Sequence, residues 1–119
     1  MKENKYHAKR TTCAQNHRHP SMSESQRCDC WHLRKRAGEI LHIDVWPTVS
    51  LSCGQYKPDF GIWKLGEYGK ERWQILMFYE DVKGVVTGEF RRIRKCFDAE
   101  HPAKPLHVVK RKGKGWEEI

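Results

Sequence analysis

The sequence predicts a small single domain that mixes helices and strands, in the class α/β (α+β). Its 119 residues suit one domain, because single domains commonly have about 100–150 residues. A helix start is indicated by the S-x-x-E pattern of residues 21–24, which is typical of a capping box. Strands are indicated by side chains that alternate between apolar and polar over residues 41–51, and by an almost continuous apolar run over residues 73–79.

The first half of the chain is predicted to hold one helix and two strands. The helix is expected over residues 21–37, because turn chemistry returns at Gly38. The alternating segment 41–51 is the clearest strand. A second strand with the same period covers residues 56–62, and Pro58 within it favours a free edge at that point.

The second half is predicted to hold a strand, a helix and a last strand. A hairpin loop at residues 66–71 leads into the buried strand 73–79. A second helix starts near Thr87, with apolar residues along one face, and ends before Pro102. Residues 106–109 form a short final strand. The predicted order of elements is therefore α-β-β-β-α-β.

Charge is distributed unevenly along the chain. Twenty-three Lys and Arg against fifteen Asp and Glu give a net charge of +8 and a pI near 9.4. Residues 1–20 carry a net charge of +4 and residues 91–119 of +5, whereas residues 21–90 carry −1. We expect a basic N-terminal arm (1–20) without a core, a folded core (21–110) and a basic C-terminal tail (111–119). Basic flanks suit a polyanion such as nucleic acid, and the alternative is a solvated surface of high pI.

Composition excludes several classes of protein. Hydrophobic residues make up 38% of the chain, and four Phe, four Tyr and five Trp supply the bulk of a small core, which argues against full disorder. There is no apolar run of about 18 residues, and the first residues lack the apolar stretch of a secretory signal. We therefore expect a soluble cytoplasmic protein, whose five cysteines are reduced thiols or metal ligands rather than disulfides.

Two short fragments carry a chemical signal: Pro58-Asp59, and Asp81-Val82-Lys83 about twenty residues later. Side chains alternate along a strand, so Asp81 and Lys83 project to the same side, and Asp59 on a neighbouring antiparallel strand can meet them. Glu80 should point to the opposite face. Adjacent carboxylates repel unless a cation neutralises them, and hard oxygen ligands suit Mg²⁺ or Mn²⁺.

A PD pair followed by (D/E)xK on an adjacent strand is similar to the signature of the PD-(D/E)xK nuclease superfamily. Further segments resemble a family of small phage-encoded proteins of this superfamily, and they occur in the expected order over about residues 4–110. These segments are NKYHAK (4–9), S-x-x-E (21–24), RAGEI (36–40), PDF (58–60) and EDVKG (80–84).

The resemblance implies a restriction-endonuclease-like core, with a mixed sheet flanked by helices, that hydrolyses DNA phosphodiester bonds. It implies that Asp59, Asp81 and a helix acid matching Glu24 hold Mg²⁺ or Mn²⁺, with the backbone carbonyl of Val82 as a further ligand. Lys83 would assist the attacking water.

Each of these residues also has a purely structural interpretation. Glu24 is explained as the acid of its own capping box, and Asp59 as a surface acid at a turn or strand edge. Asp81 and Lys83 are explained as a same-face ion pair. All of them occur in motif order between basic flanks, and this combination favours the nuclease site.

The arrangement also resembles the phage endonuclease I type of Holliday-junction resolvase. That resemblance implies a homodimer that cuts two strands of branched DNA, in phage DNA metabolism inside a bacterial host cell. Basic side chains of the N-terminal arm and of the second helix are the candidate phosphate contacts, although a solvated helix face is the usual alternative. They are Lys5, Lys9, Arg10, Arg91, Arg92, Arg94 and Lys95.

Cysteines and histidines crowd into residues 13–32. Two pairs have i, i+4 spacing and could together make a tetrahedral zinc site: Cys13 with His17, and Cys28 with His32. The alternative is a set of free thiols and exposed histidines. Two rival functions remain open at this point. One is a non-catalytic nucleic-acid-binding module, with or without such a zinc ion, and the other is a small structural or regulatory phage protein.

Overall fold

The computed structural model describes residues 10–119 and confirms a mixed α+β architecture. The two helices in this part of the chain are α1 (Met22–Arg36) and α2 (Gly88–Glu100). The strands described are β1 (Thr11–Thr12), β2 (Arg18–His19), β3 (His42–Val45), β4 (Val49–Leu51), β5 (Gly54–Tyr56), β6 (Phe60–Tyr68), β7 (Glu71–Val82), β8 (Leu106–Lys112) and β9 (Gly115–Glu118).

Five of these strands form one mixed sheet in the order β3-β6-β7-β8-β9. The pair β7–β8 is parallel, and the other neighbours are antiparallel. A parallel pair needs a crossover connection, and α2 supplies it here. Two further pairs, β1–β2 and β4–β5, are separate two-stranded ribbons.

Both helices form where their caps predict. The Ser21 hydroxyl accepts a hydrogen bond from the Glu24 backbone N–H at 3.1 Å, and α1 ends at Ala37. The Thr87 hydroxyl accepts one from the Phe90 N–H at 3.1 Å and caps α2. The predicted helix over residues 21–37 and the helix start near Thr87 are therefore confirmed.

The helices pack on opposite faces of the main sheet. Phe78 of β7 packs against the core cluster that contains Trp31 of α1. The next residue, Tyr79, packs against the core cluster that contains Phe97 of α2. Neighbouring strand residues point to opposite faces, so each helix covers one side of the sheet.

The predicted strand over residues 41–51 is wrong in one respect, because the chain forms two strands there. Trp46 adopts a left-handed backbone conformation with φ 56°, and Pro47 follows it. This turn sends β4 away from the main sheet to pair with β5. The predicted strand over residues 56–62 is interrupted as well, because residues 57–59 separate β5 from β6.

Two expectations about the ends of the chain need correction. Residues 11–19 form a hairpin and bury Cys13 and His19, so this part of the expected arm does contribute to a core. The expected C-terminal tail instead forms β9, which pairs with β8 through a turn at Gly113, where φ is 58°.

The predicted hairpin loop over residues 66–71 is mostly strand, because only Gly69 and Lys70 lie between β6 and β7.

A buried ion pair links α1 to the sheet. The Glu80 carboxylate accepts hydrogen bonds from Arg27 Nε at 2.7 Å and Arg27 Nη2 at 2.8 Å, and one from the Trp31 indole N–H at 2.8 Å. The guanidinium lies 4.7 Å from the Trp31 ring centre and 5.1 Å from that of Trp116 on β9. Glu80 therefore faces α1, as strand alternation predicts.

Candidate functional site

Three segments distant in sequence converge beside the N-terminus of α1. Glu24 lies in the first turn of α1, Asp59 directly precedes β6, and Lys83 directly follows β7. These three side chains and Val82 line a cavity of about 490 Å³. Asp81 lies behind the cavity wall and is only 1% exposed.

Two reciprocal hydrogen bonds hold Asp59 against β7. The Asp59 N–H donates to Asp81 Oδ1 at 2.9 Å, and the Val82 N–H donates to Asp59 Oδ2 at 2.7 Å. They extend the β6–β7 pairing by one residue beyond Phe60, which is the partner of Glu80. The second oxygen of Asp81, Oδ2, is buried and has no hydrogen-bond partner within residues 10–119.

Burial shapes the electrostatics of the three carboxyls. It raises the pKa of Glu24, and it raises the pKa of Asp59 well above 3.8, where the charge of Glu24 adds to the effect. Burial also raises the pKa of Asp81 to about 6, although the charge of Lys83 opposes it. A further positive charge in this volume would stabilise the ionised carboxylates.

Glu24 is not only the acid of a capping box, because its carboxylate contacts two side chains from outside α1. Its Oε2 atom accepts a hydrogen bond from the Trp46 indole N–H at 3.1 Å and also contacts His19 Nδ1. The Trp46 backbone N–H in turn donates to the Asp59 carbonyl at 2.9 Å. The strained turn at Trp46 thus ties Glu24 and Asp59 together.

Neither His19 nor Trp46 is predicted as part of this site by the sequence. The available signals are weak: His19 stands in the Cys/His-rich stretch, and Trp46 precedes a proline inside an apparently regular strand.

Lys83 supplies the positive charge of the cavity. Its ammonium lies 4.6 Å from the centre of the Phe90 ring, and its backbone N–H donates to the Val109 carbonyl at 2.9 Å. Thr87, the cap of α2, also lines the cavity. The N-terminus of α2 therefore adds backbone partial charge of the same sign.

The predicted phosphate-contacting side chains on α2 are at the surface, exposed or half-buried, as is Arg10. Lys5 and Lys9 lie outside the described residues. The α2 residues concerned are Arg91, Arg92, Arg94 and Lys95.

A second cluster lies directly behind Glu24. One ligand atom from each of four side chains falls within 4.8 Å of all the others, and together they could hold a metal ion: Cys13, His17, His19 and Cys28. This set has His19 where the sequence-based set has His32, although His32 Nδ1 also lies 3.5 Å from Cys28 Sγ. The Nδ1 atom of His32 contacts the Cys28 carbonyl one turn earlier at 2.8 Å, whereas the β1–β2 hairpin carries His19 into the cluster.

No protein-family model, curated protein or solved structure matches this chain. Within residues 10–119, neither helix has the length and apolar character needed to cross a membrane.

Proposed function

We propose that the protein is a metal-dependent DNA endonuclease with a restriction-endonuclease-like core. One observation carries the proposal: the carboxylates of Glu24 and Asp59 and the ammonium of Lys83 line one cavity, with Asp81 hydrogen-bonded behind Asp59. The order of the helices and main-sheet strands also supports it, since α1, β3, β6, β7, α2 and β8 read α-β-β-β-α-β.

The donor set suits Mg²⁺ or Mn²⁺. Burial disfavours the ionised forms of all three carboxyls, and Asp81 Oδ2 has no partner within residues 10–119. Hard oxygen donors of this kind are what such cations prefer. Glu24, Asp59, Asp81 and the Val82 carbonyl would hold the ion, which when bound makes a water molecule more acidic and neutralises phosphate charge.

The protein's own residues would then orient the reaction. The oxygen of a water molecule attacks phosphorus and gives up a proton to solvent, the bond from phosphorus to the leaving oxygen breaks, and that oxygen takes up a proton from solvent. Lys83 stabilises the negative charge that builds up on the phosphate oxygens, and its contact with the Phe90 ring holds the ammonium at the cavity. The cap of α2 at Thr87 presents backbone N–H groups beside the same space.

The charge distribution supports DNA as the substrate. The net charge is +8, and the exposed bases of α2 directly follow the Lys83 segment. A chain of this size covers few base pairs, so two cuts would come from a homodimer with a two-fold axis. We infer branched DNA, such as a Holliday junction, as the preferred substrate, in phage DNA metabolism within the cytoplasm of a bacterial host.

A cleavage assay tests this proposal. Labelled four-way junction, flap, single-stranded and linear duplex DNA are incubated with Mg²⁺, Mn²⁺ or EDTA. We expect metal-dependent cutting, and we expect Lys83→Met to reduce the rate by about 10²–10³-fold through loss of transition-state charge stabilisation. Glu67→Gln and Lys70→Met, at the exposed end of the β6–β7 hairpin, are matched controls that should cut normally. If every DNA remains intact with both metals, the endonuclease proposal is wrong.

The Cys/His cluster favours a second candidate, a nucleic-acid-binding module held together by zinc. Cleavage and DNA binding, measured together at several salt concentrations, separate the two candidates. A binding module would retain DNA with strong salt dependence and leave it uncut, because phosphate contacts release counterions whether or not cleavage follows. Weak binding without salt dependence would instead favour a structural or regulatory protein.

A further inference from the structure

We propose that the protein also binds a structural zinc ion, which holds the β1–β2 hairpin to α1 and positions the carboxylate of Glu24. Its four ligands are Cys13, His17, His19 and Cys28. The zinc site stands on its own geometry, whereas the positioning of Glu24 rests on the proposed nuclease function.

The distances around His17 match a metal site. Its Nδ1 atom lies 3.5 Å from Cys13 Sγ and 3.7 Å from Cys28 Sγ. With Zn–S bonds of about 2.3 Å and Zn–N bonds of about 2.0–2.1 Å, the nitrogen–sulfur edge of a tetrahedral site is about 3.5–3.6 Å long. One imidazole nitrogen has a single lone pair or a single proton, so it cannot hydrogen-bond fully to both sulfurs, but one central cation satisfies all three atoms.

His19 supplies an independent observation. Its side chain is fully buried, and Nε2 has no hydrogen-bond partner among the described residues. An unpartnered polar atom in such a place costs free energy, and a metal bond removes that cost. The other nitrogen, Nδ1, contacts Glu24 Oε2. A histidine held by a carboxylate on one nitrogen and bound to zinc through the other is a common arrangement.

The surroundings favour a closed structural site of two thiolates and two imidazoles. Cys13 is 5% exposed and Cys28 is fully buried, so protein atoms enclose the sulfur side of the cluster. Soft thiolates and imidazoles select zinc over Mg²⁺. The His17 backbone N–H also donates to Cys13 Sγ at 3.3 Å, and this contact fixes the sulfur beside the His17 ring.

Such an ion would stabilise the hairpin. Its strands have two residues each, and an isolated two-stranded hairpin is at best marginally stable in water. A backbone hydrogen bond from the Ala14 N–H to Asp29 Oδ1 at 2.8 Å already joins the hairpin loop to α1. Zinc would bond to both the helix and the hairpin, since Cys28 is on α1 and the other three ligands are on the hairpin.

Zinc would also determine which nitrogen of His19 carries the proton. With Nε2 bound to the ion, the proton must sit on Nδ1, and Nδ1–H then donates to the Glu24 carboxylate. This hydrogen bond favours the ionised form of Glu24 and fixes its orientation beside Asp59. His19 is thus a positioning residue for the nuclease site.

Metal analysis tests the zinc site. We expect one zinc per purified chain, and in the cobalt-substituted protein the visible spectrum of a tetrahedral site with thiolate charge-transfer bands. X-ray absorption should show two sulfur ligands at about 2.3 Å and two nitrogen ligands at about 2.0–2.1 Å. These readings use the unaltered chain, so they do not depend on a variant that folds poorly. Failure to bind zinc or cobalt, or a different ligand set, would overturn the proposal.

Substitutions then test the ligand assignment. Cys28→Ser should lose the cobalt spectrum, whereas Cys30→Ser and His32→Asn should keep it, because neither residue belongs to the set. Loss of the spectrum in His32→Asn would show that the predicted pairing with His32 was right and the assignment of His19 wrong.

A matched pair of ligand replacements tests the positioning of Glu24. His17→Cys and His19→Cys each leave a site of three cysteines and one histidine, but only His19→Cys removes the contact with Glu24. With zinc confirmed in both, we expect the Mg²⁺ dissociation constant, measured by calorimetric titration, to rise about 10-fold or more in His19→Cys and to stay unchanged in His17→Cys. Equal constants would overturn the positioning role. If the unaltered protein binds zinc but neither binds Mg²⁺ nor cuts DNA, the proposed function and the positioning role fail while the zinc site stands.

Discussion

Replacement of Asp81 by Asn removes a buried charge while keeping the shape of the side chain. The Asn oxygen can still accept the hydrogen bond from the Asp59 N–H. The parent side chain is 1% exposed, and burial raises the pKa of its carboxyl from 3.8 to about 6. The substitution therefore isolates the free energy that ionisation of this group costs.

The magnitude follows from linkage between protonation and folding. Between pH 3.8 and about 6 the folded chain keeps the Asp81 proton while the unfolded chain releases it. Stability supplied by this group is therefore greatest at low pH and falls as the pH rises through that window. The full difference between the two pKa values corresponds to about 3 kcal/mol. Relative to Asp81→Asn, the parent should lose this amount between pH 3 and pH 8.

Urea unfolding at a series of pH values measures the effect. The fixed cost of burying the Asn amide is the same at every pH, so it cancels when the difference between parent and variant is followed. In the Lys83→Met background this difference should grow, because the charge of Lys83 lowers the pKa of Asp81. Mg²⁺ added at pH 8 should stabilise the parent more than the variant, by up to about 2.7 kcal/mol at 100 times the dissociation constant.

Parallel stability curves for parent and Asp81→Asn would refute this reasoning. They would mean that Asp81 ionises in the folded protein as it does in water, and that the cavity wall does not exclude water from it. A difference of opposite sign, with the parent gaining stability as the pH rises, would mean that a positive group outweighs burial.

Substitutions at three further positions test the fold. Arg27→Met should leave the Glu80 charge buried and unpaired and lower the free energy of unfolding by about 3–5 kcal/mol in urea titrations, and a cost below 1 kcal/mol would show that water reaches the pair. Phe97→Ala removes a fully buried ring from the core under α2, so thermal melts should report a loss of about 3–5 kcal/mol, with an unchanged melting temperature as the contrary result. Ser21→Ala removes the cap of α1 and should cost about 1 kcal/mol, whereas Ser21→Asp should retain most of the stability.

The helices could be predicted because their signals are local. Ser21 caps α1 and Thr87 caps α2, and each hydroxyl accepts a hydrogen bond from a backbone N–H only three residues later. The proximity of Asp59 and Asp81 could also be predicted, because it needs only an antiparallel pairing of neighbouring strands.

The break after β3 could not be predicted, because apolar and polar residues continue to alternate across it. The period of side chains reports which face is buried, but it does not report that the strand ends at Trp46, where φ is positive. The hydrogen bond from Trp46 to Glu24 could not be predicted for the same reason. The contact of His19 with Glu24 could not be predicted either, although only five residues separate them, since a two-residue strand carries no periodicity and only the folded hairpin turns the ring toward Glu24.

The buried pair of Arg27 and Glu80 bears on how the chain folds during its synthesis. Arg27 is made early, yet its carboxylate partner is 53 residues further along, and the ring of Trp116 on β9 is made later still. Until β7 leaves the ribosome, the guanidinium has no carboxylate partner and must stay in water, although the apolar partners of α1 up to Ile62 have already been made. The final placement of α1 on the sheet therefore has to wait for β7, and a nascent protein halted before it would expose this side of α1 to chaperones and proteases.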